Sequence, residues 1–324
     1  MPVLQFEERK YSVADGESVL ECLTSQGAVV PSSCRSGACQ TCLMRSVDGT
    51  PPAISQAGLK PTLRAQGYFL ACMCRPTMNM EVALPGEEVA PRTSAIVVNK
   101  ELLNADIVRL SLRCAKPIDY RAGQFAHLIR TDSLSRSYSL ASLPSAEGQI
   151  EFHVRRLQDG AMSGWIHETL GVGDTVEVAG PFGDCFYVPG ERDRGILLIG
   201  TGSGLAPLKG IILDALRHDH AGPIHLYHGS WKPEGLYLMD ELRQLARRHA
   251  NFKYVPCVDA DATDGILEGR ADQIAFQDHP ELKGWRLYLC GHPEMVKSAK
   301  RRAFLSGASL QDIYADSFVI CTPR

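Results

Sequence analysis

The segment Cys34-Arg-Ser-Gly-Ala-Cys39-Gln-Thr-Cys42 places three cysteines in one loop, with the spacing C-x4-C-x2-C. Gly37 in this segment lets the loop turn tightly without a clash at Cβ. The whole chain has 11 cysteines, and because this number is odd a complete set of disulfides is impossible. In a chain without an export signal, cysteines clustered in this way indicate metal or redox chemistry.

The cysteine segment resembles plant-type ferredoxin domains, which share its spacing and take a fourth, distant cysteine. Two candidates for that fourth ligand stand close together, Cys72 and Cys74. Ferredoxins supply it from a Gly-aromatic-x-Leu-x-Cys stretch, and Gly67-Tyr-Phe-Leu-Ala-Cys72 matches that pattern, so the resemblance selects Cys72. The ligands that it implies for a [2Fe–2S] cluster are Cys34, Cys39, Cys42 and Cys72.

Two other interpretations of the cysteines are open to the sequence. A structural zinc site usually pairs two C-x2-C knuckles, and only Cys39 and Cys42 form one here. A thioredoxin-like dithiol would use these two and leave Cys34 and Cys72 without a role. The spacing therefore favours the iron–sulfur cluster.

Length and composition set limits on the remaining possibilities. The 324 residues predict two or three domains, and 44% hydrophobic with 22% charged residues is typical of a globular protein. The net charge of −3, without long runs of like charge, gives no reason to expect nucleic-acid binding. Residues 1–10 lack the apolar core of a signal peptide, and Ile196–Ile199 is far short of a membrane span. We therefore expect a cytoplasmic protein that does not bind membranes.

The hydrophobic pattern divides the chain into three segments. Residues 1–88 combine short strand-like stretches with one helix-like stretch and the cysteine loop, and they end at the Pro- and Gly-containing junction Pro85–Pro91. Residues 93–190 are short alternating runs separated by Gly and Pro turns, which predicts a β-barrel with one helix at Met162–Leu170. From residue 194 to 324, apolar strands alternate with helical stretches, which predicts a parallel sheet covered by helices on both faces.

The middle segment contains Arg136-Ser-Tyr138-Ser139, which resembles the Arg-x-Tyr-Ser motif of the ferredoxin–NADP reductase superfamily. That resemblance implies FAD, with Arg136 on flavin phosphate, Tyr138 against the isoalloxazine or ribityl, and Ser139 near the flavin N5. Guanidinium suits phosphate, an aromatic ring suits a flat π-system, and a hydroxyl tunes N5 without adding charge. Gly160 and Ser163, where the predicted helix opens, would offer backbone N–H groups to the pyrophosphate.

The last segment contains Gly200-Thr-Gly-Ser-Gly204-Leu-Ala-Pro207 directly after an apolar strand. A glycine-rich turn between a strand and a helix lets the backbone approach a pyrophosphate. The turn departs from the G-x-G-x-x-G fingerprint at Leu205, but it resembles the G-T-G-x-G-x-A-P turn of the same superfamily. The dinucleotide-binding residues that this resemblance implies in the turn are Gly200, Thr201, Gly202 and Gly204.

Two further matches to that superfamily lie closer to the C-terminus. Cys290 and Gly291 end a predicted strand, and the resemblance places them beside the nicotinamide. A buried, inert cysteine is the alternative for Cys290. Asp316-Ser-Phe318 resembles the superfamily's final aromatic, close to the flavin, and an ordinary packed phenylalanine is its alternative. The catalytic candidates are Ser139, Cys290 and Phe318.

The choice between NADH and NADPH depends on the residues after the second strand of this segment. His228-Gly-Ser-Trp-Lys232 has no acidic residue for a ribose 2′-hydroxyl and no arginine for a 2′-phosphate, although Lys232 is a candidate for the latter. The resembling reductases mostly use NADH. NADH is therefore expected, and NADPH is not excluded.

Taken together, the order of the three matches resembles the reductase components of bacterial multicomponent oxygenases. This implies a multidomain fold: an α+β β-grasp ferredoxin domain (1–88), an antiparallel β-barrel FAD domain (93–190) and an α/β parallel-sheet nicotinamide-binding domain (194–324). Electrons would pass from NADH through FAD to the [2Fe–2S] cluster, and on to a terminal oxygenase or an intermediate ferredoxin. The alternatives are a reductase of this architecture that serves another acceptor, such as a sugar-deoxygenation enzyme, and a non-enzymatic zinc or redox-sensing protein.

Overall fold

A computed structural model describes residues 1–86 and 91–318. It divides the chain into two compact units, Met1–Val89 and Ala90–Arg324. Of the helices in these described ranges, none combines the length and apolarity that a bilayer crossing requires. The predicted ranges 1–88, 93–190 and 194–324 stay predictions, because the border at 88 and the last six residues lie outside the described residues.

The first unit is built on a mixed five-stranded sheet in the spatial order β2-β1-β5-β3-β4, in which β1 and β5 are parallel. Its N-terminal helix starts at a capping box, in which the Ser18 side chain accepts from the Glu21 N–H and the Glu21 carboxylate accepts from the Ser18 N–H. The elements are β1 (Val3–Phe6), β2 (Arg9–Ser12), α1 (Val19–Ser25), β3 (Leu43–Asp48), α2 (Pro61–Ala65), β4 (Tyr68–Leu70) and β5 (Met80–Ala83). This is the predicted β-grasp domain.

The second unit begins with a six-stranded antiparallel sheet in the order β10-β7-β6-β11-β8-β9. The two edges meet where Leu140 pairs with Phe152 and the Ala141 N–H donates to the Glu151 carbonyl over 2.8 Å, which closes the sheet into a barrel. Its elements are β6 (Arg92–Leu102), β7 (Ile107–Cys114), β8 (Phe125–Ile129), β9 (Ser135–Ser139), β10 (Gln149–Arg155), α3 (Ala161–Glu168) and β11 (Thr175–Phe182).

The rest of the second unit is a parallel sheet in the order β15-β14-β13-β12-β16-β17. One face packs against α4 and α5 and the other against α6 and α7, as predicted for a buried parallel sheet. The strands are β12 (Ile196–Thr201), β13 (Ile224–Ser230), β14 (Phe252–Val258), β15 (Leu267–Glu268), β16 (Arg286–Gly291) and β17 (Ile313–Ser317). The helices are α4 (Leu205–Arg217), α5 (Met239–Arg248), α6 (Ala271–Asp278) and α7 (Pro293–Leu305).

Candidate functional site

The four predicted cluster ligands are arranged in two pairs. The Cys39 N–H points at the Cys34 sulfur over 3.3 Å, and the Cys34 N–H at the Cys39 sulfur over 3.5 Å. On the other side, the Cys42 and Cys72 sulfurs are 3.3 Å apart. Two pairs of thiols match the needs of a dinuclear cluster, in which each iron takes two protein ligands.

Polar groups around the first pair favour thiolate. Hydrogen bonds from Ser36, and then from Cys39, lower the pKa of the Cys34 thiol to about 6. The Thr41 hydroxyl lies 3.2 Å from the Cys39 sulfur, and hydrogen bonds from Thr41 are the main reason that the pKa of Cys39 is lowered. Such donors offset the negative charge of an iron–sulfur cluster, so the loop fits the group that its sequence predicts.

The second pair differs in its surroundings. Cys72 is buried, and desolvation raises the pKa of its thiol to about 11. A bound metal ion overcomes this preference for the neutral thiol, because it holds a coordinating thiol in its deprotonated form. Within the described ranges, no three His, Cys, Asp or Glu side chains are gathered closely enough to hold one ion. Cys74, the other candidate for the fourth ligand, is fully buried, and its pKa is raised to about 11 by burial.

The second unit contains a cavity of about 1190 Å³ between the barrel and the parallel sheet. This volume exceeds the roughly 300–1,000 Å³ of an ordinary small-molecule pocket. The cavity can therefore hold parts of two dinucleotides at the same time. Predicted site residues from both the barrel and the sheet line its wall. These are Arg136, Tyr138, Ser139, Gly160, Ser163, Thr201, Gly202, Gly291 and Phe318.

Strand β9 carries the Arg-x-Tyr-Ser residues to the cavity. The Arg136 side chain is exposed and donates to the Ser135 carbonyl over 2.7 Å, which leaves other guanidinium N–H groups for an anion. Tyr138 is half-buried, and burial raises the pKa of its phenol, so it stays neutral. The Ser139 hydroxyl donates to the Asp316 carboxylate over 3.2 Å, and burial raises the pKa of that carboxyl.

Helix α3 starts at the cavity wall with Gly160 as its N-cap. The Ser163 hydroxyl accepts from the Leu157 N–H over 3.1 Å and donates to the Gly160 carbonyl over 3.2 Å. A Cβ at Gly160 would lie 2.3 Å from that hydroxyl, so glycine is the residue that fits there. The first N–H groups of a helix have no intrahelical partner and attract anions, which suits a pyrophosphate.

The glycine turn after β12 packs closely against the end of β16. A Cβ at Gly204 would lie 2.3 Å from the Cys290 carbonyl oxygen, and one at Gly200 would lie 2.6 Å from the Leu208 side chain. Gly291 has a φ of 122° and would clash with Thr201 at 2.6 Å if it carried a Cβ. Gly200 and Gly204 therefore shape the turn from behind the cavity wall, and Thr201, Gly202 and Gly291 face the cavity.

Cys290 also lies behind the wall. Its side chain is fully buried in the core, its sulfur is 4.0 Å from that of Cys185, and burial raises the pKa of its thiol. Phe318, the last described residue, lines the cavity, and its N–H donates to the Gly291 carbonyl over 2.9 Å. The predicted role of Cys290 beside the nicotinamide stays a prediction.

Sequence reasoning missed a polar network at the junction of barrel and sheet. Glu151 and His153 of β10 lie side by side, and His153 lines the cavity. The His153 Nε2–H donates to Glu151 over 2.9 Å, Lys209 of α4 donates to the same carboxylate over 2.7 Å, and the Tyr237 hydroxyl lies 3.1 Å from His153 Nδ1. No motif or spacing in the sequence marks these residues, since they come from different elements.

Two further cavity-lining residues that the sequence did not reveal are Arg155 and Trp231. Arg155 of β10 lines the cavity, and its Nη1 would lie 3.5 Å from a Cβ placed on Gly202. Trp231 lines the same part of the cavity and is 67% exposed, which presents a flat ring to solvent. A cation over a glycine turn and an open aromatic face suit a phosphate and a base, respectively.

Three family models match the chain in succession. Residues 4–77 match a 2Fe-2S iron-sulfur cluster binding domain, residues 94–187 an oxidoreductase FAD-binding domain, and residues 198–301 an oxidoreductase NAD-binding domain. The chain is therefore an oxidoreductase with one domain for each of these cofactors, in the predicted order.

Relatives and solved structures match over nearly the whole length. The reductase subunit of an aromatic O-demethylase from Amycolatopsis is 35% identical over 91% of this chain and 92% of its own. The ferredoxin–NAD(P)(+) reductase component of the naphthalene 1,2-dioxygenase system of Pseudomonas putida is 31% identical over 98% of each chain. The crystal structure of an Amycolatopsis cytochrome P450 reductase aligns with a TM-score of 0.69 and 30% identity, over 98% of this chain and 99% of that one. The chain thus belongs to the family of iron–sulfur flavoprotein reductase components of multicomponent oxygenase systems.

Proposed function

We propose that this protein takes hydride from NADH and delivers single electrons, through FAD and a [2Fe–2S] cluster, to a terminal oxygenase or an intermediate ferredoxin. The observation that carries the proposal is the cavity shared by the Arg-x-Tyr-Ser strand and the glycine turn. A nicotinamide gives up two electrons as hydride and a cluster accepts one, and a flavin links the two because it exchanges electrons in either number. We place this activity in the cytoplasm.

The predicted site residues would hold these groups, those that line the cavity by contact and those behind its wall by shaping it. Arg136 and the N-terminus of α3, with Gly160 and Ser163, would bind the flavin phosphates, Tyr138 would pack on the ring system, and Ser139 would hydrogen-bond near N5. Thr201 and Gly202 would bind the nicotinamide dinucleotide, and Gly200 and Gly204 keep the turn close to β16. Cys290 and Gly291 end that strand and would position the nicotinamide, and Phe318 would lie against the flavin.

The contacts of Lys232 favour NADH as the donor. Its ammonium pairs with the Asp261 carboxylate over 2.8 Å, and Arg270, another cation on this part of the wall, pairs with Asp272 over 3.1 Å. A 2′-phosphate would have to displace a carboxylate from either cation and would be repelled by it. We therefore expect kcat/KM to be higher with NADH than with NADPH.

The relatives suggest the kind of acceptor. The related proteins are named for naphthalene dioxygenase, phenol hydroxylase and aromatic O-demethylase systems, so an oxygenase acting on an aromatic compound is the proposed final acceptor. A reductase of the same build that serves another acceptor is the alternative. Reconstitution with candidate oxygenases, measured as NADH consumed per hydroxylated product, distinguishes the two.

The cluster assignment is tested by a pair of matched substitutions. We expect Cys72→Ser to abolish iron binding and the visible bands of a [2Fe–2S] group while FAD content is kept. Cys74→Ser, two residues further on, should keep both, because the Cys74 thiol lies in the core and is hydrogen-bonded with Ser55. Iron analysis and an anaerobic NADH titration of each protein provide the measurement. Loss of iron in Cys74→Ser but not in Cys72→Ser would exchange the two roles, and a wild-type protein without iron would refute the proposed function.

A further inference from the structure

Basic residues predominate in the stretch of sequence that carries the cluster ligands. Between Cys22 and Met80 there are five basic residues and a single acidic one, Asp48, which gives this part a formal charge of +4. The remaining described residues, 1–21 and 81–86, contain six acidic and two basic residues, a formal charge of −4. Four thiolates, two sulfides and two ferric ions bring a charge of −2, so the cluster-bearing part stays positive when it is loaded.

The loops next to the cluster are open, and residues 33–41 and 51–59 contain no acidic residue. Every residue from Ser33 to Thr41 is exposed except Gly37, which is half-buried. A second loop adjoins this one, since the Gln40 side-chain amide donates to the Gly58 carbonyl over 3.1 Å. The second loop exposes Ala53, Ile54, Ala57 and Gly58, and Ile54 is 62% exposed.

Three exposed basic side chains stand in these loops or on the segments that follow them. Arg35 stands in the cluster loop itself and is exposed, and Arg64 and Arg75 are exposed on the segments that follow the two loops. The Arg75 Nε–H donates to the Gly16 carbonyl over 3.0 Å, which orients its guanidinium. The Glu21 carboxylate lies within electrostatic range of Arg75 and Arg35, but its own oxygen is held by the Ser18 hydroxyl at 2.7 Å.

We propose that this surface, the cluster loop with its basic rim, is a docking face for an acceptor protein whose redox centre is surrounded by Asp and Glu. The inference rests on the proposed function and adds the sign of charge that the acceptor must carry. Small, uncharged residues let two redox centres approach closely, and a ring of like charge attracts a partner of opposite sign over a distance of about one Debye length. Charge complementarity of this kind raises association rates by roughly 10- to 1,000-fold at low salt.

Two haem proteins of opposite surface charge serve as probes: acidic cytochrome b5 and basic cytochrome c. Binding of oxidised cytochrome b5 to the oxidised full-length protein is measured by calorimetry at about 10 mM ionic strength, where the Debye length is about 30 Å. We expect the Kd to rise at least about tenfold in Arg35→Glu and in Arg64→Glu. The matched control is Arg9→Glu, which makes the same charge change in the acidic part of the unit and should alter the Kd less than about twofold.

Cytochrome c gives the opposite response. Two ferric haems are reduced for each NADH oxidised, one electron each, and we expect this rate to increase several-fold in Arg35→Glu at low salt. The difference should disappear near 0.15 M salt, where the Debye length is about 8 Å. Equal effects of Arg9→Glu and Arg35→Glu on either probe would overturn the docking face, because net charge alone would then account for them.

A third measurement separates this inference from the proposed function. The rate at which NADH bleaches the cluster bands, without any probe, is recorded for each variant. A loss in Arg35→Glu that matches its loss of cytochrome b5 binding would assign the basic rim to internal transfer and overturn the docking face. Absence of bleaching in the wild-type protein would refute the proposed function itself. If Arg35→Glu, whose site adjoins the ligand Cys34, loses iron, Arg64→Glu keeps the test valid, because Arg64 is not adjacent to any ligand in sequence.

Discussion

Glu151 joins the barrel by charge to the helices that cover the parallel sheet, through Lys209 of α4, as Arg109 does through Glu241 of α5. Its side chain is only 18% exposed and lies between His153 and Lys209, which are 0% and 15% exposed. Burial alone would raise the pKa of this carboxyl, but the hydrogen bond from His153 and the charge of Lys209 outweigh it and lower the pKa to about 2. Removing one member of a buried charge pair is costly, because its partner is left uncompensated.

The lowered pKa of Glu151 predicts a pH-dependent contribution to stability. An unfolded glutamate titrates near about 4.3, so the stabilisation is complete above that pH and is lost as the pH falls toward 2. We expect Glu151→Gln to lower the free energy of unfolding by about 3 kcal/mol at pH 6 and by clearly less at pH 3. Urea denaturation at the two pH values measures this. Glu177→Gln, which breaks an exposed pair with Arg92, is the control, and an equal loss at both pH values for Glu151→Gln would contradict the assignment.

At the scale of elements, the turn between β12 and α4 can approach β16 closely because Gly204 has no side chain. An added Cβ would meet the Cys290 carbonyl at 2.3 Å, whereas one at Gly164 in α3 would meet no atom within 4 Å. Backbone atoms of a central strand cannot yield as a flexible side chain would. The space available, rather than the backbone conformation, therefore requires glycine at position 204.

Alanine at these two positions is predicted to change the stability of the protein in opposite directions. Gly204→Ala should destabilise the protein by about 1–3 kcal/mol, as overpacking does, and should slow the reduction of bound FAD by NADH. Gly164→Ala should stabilise α3 by up to about 1 kcal/mol, because alanine is the better helix former. Thermal unfolding and stopped-flow absorbance at the flavin band measure the two effects. A Gly204→Ala protein as stable and as fast as the wild type would show that the turn tolerates a side chain.

The hydrophobic periodicity of the sequence predicted most of the helices and strands. It failed for elements whose formation depends on packing against other parts of the fold. The apolar pattern predicts strands at Val3–Phe6 and Gln149–Arg155, and β1 and β10 have these bounds. Strands β3, β4, β9, β15 and β17 were missed. β4 has three residues and follows the turn at Gly67, and β17 is a short edge strand with few apolar residues. Helix α6 was also missed, since its apolar positions are few and their burial depends on β12 and β13 beside it.

The site was predictable where its residues are neighbours in sequence. Arg136, Tyr138 and Ser139 are close together on one strand, and Thr201 and Gly202 share one turn, so a motif identifies them. Ser139 and Asp316, by contrast, are 177 residues apart and meet only through the fold. Cavity-lining residues such as Arg155 and Trp231 belong to no motif of their own segment, so their place depends on the three-dimensional structure.

At the scale of the whole molecule, each compact unit has a hydrophobic core of its own. One core cluster lies entirely within residues 4–84, and the other three lie within residues 95–314. Ile107, Cys185 and Tyr187 of the barrel region pack in the same cluster as β12 and α4. The barrel and the parallel sheet therefore form one folding unit, and the ferredoxin unit forms another.

This division predicts the behaviour of the fragment Ala90–Arg324. We expect it to fold, to retain FAD and to reduce ferricyanide with NADH within about twofold of the intact chain, because its cores are complete. It should lose the reduction of cytochrome c, which requires the cluster. Spectra and steady-state rates of the fragment and of the intact chain test this. An unfolded fragment, or one that reduces cytochrome c at the intact rate, would contradict the division.

The hydrogen-bonded network of Glu151, His153, Lys209 and Tyr237 also bears on how a bound dinucleotide leaves the cavity. Movement of the barrel away from the sheet would separate the Lys209 ammonium from the Glu151 carboxylate and the Tyr237 hydroxyl from His153, while His153 and Arg109, which belong to the barrel, would stay beside Glu151. Trp231, which lines the same cavity, is 67% exposed. We infer that a bound dinucleotide exchanges past Trp231, because this route leaves the contact between Lys209 and Glu151 intact.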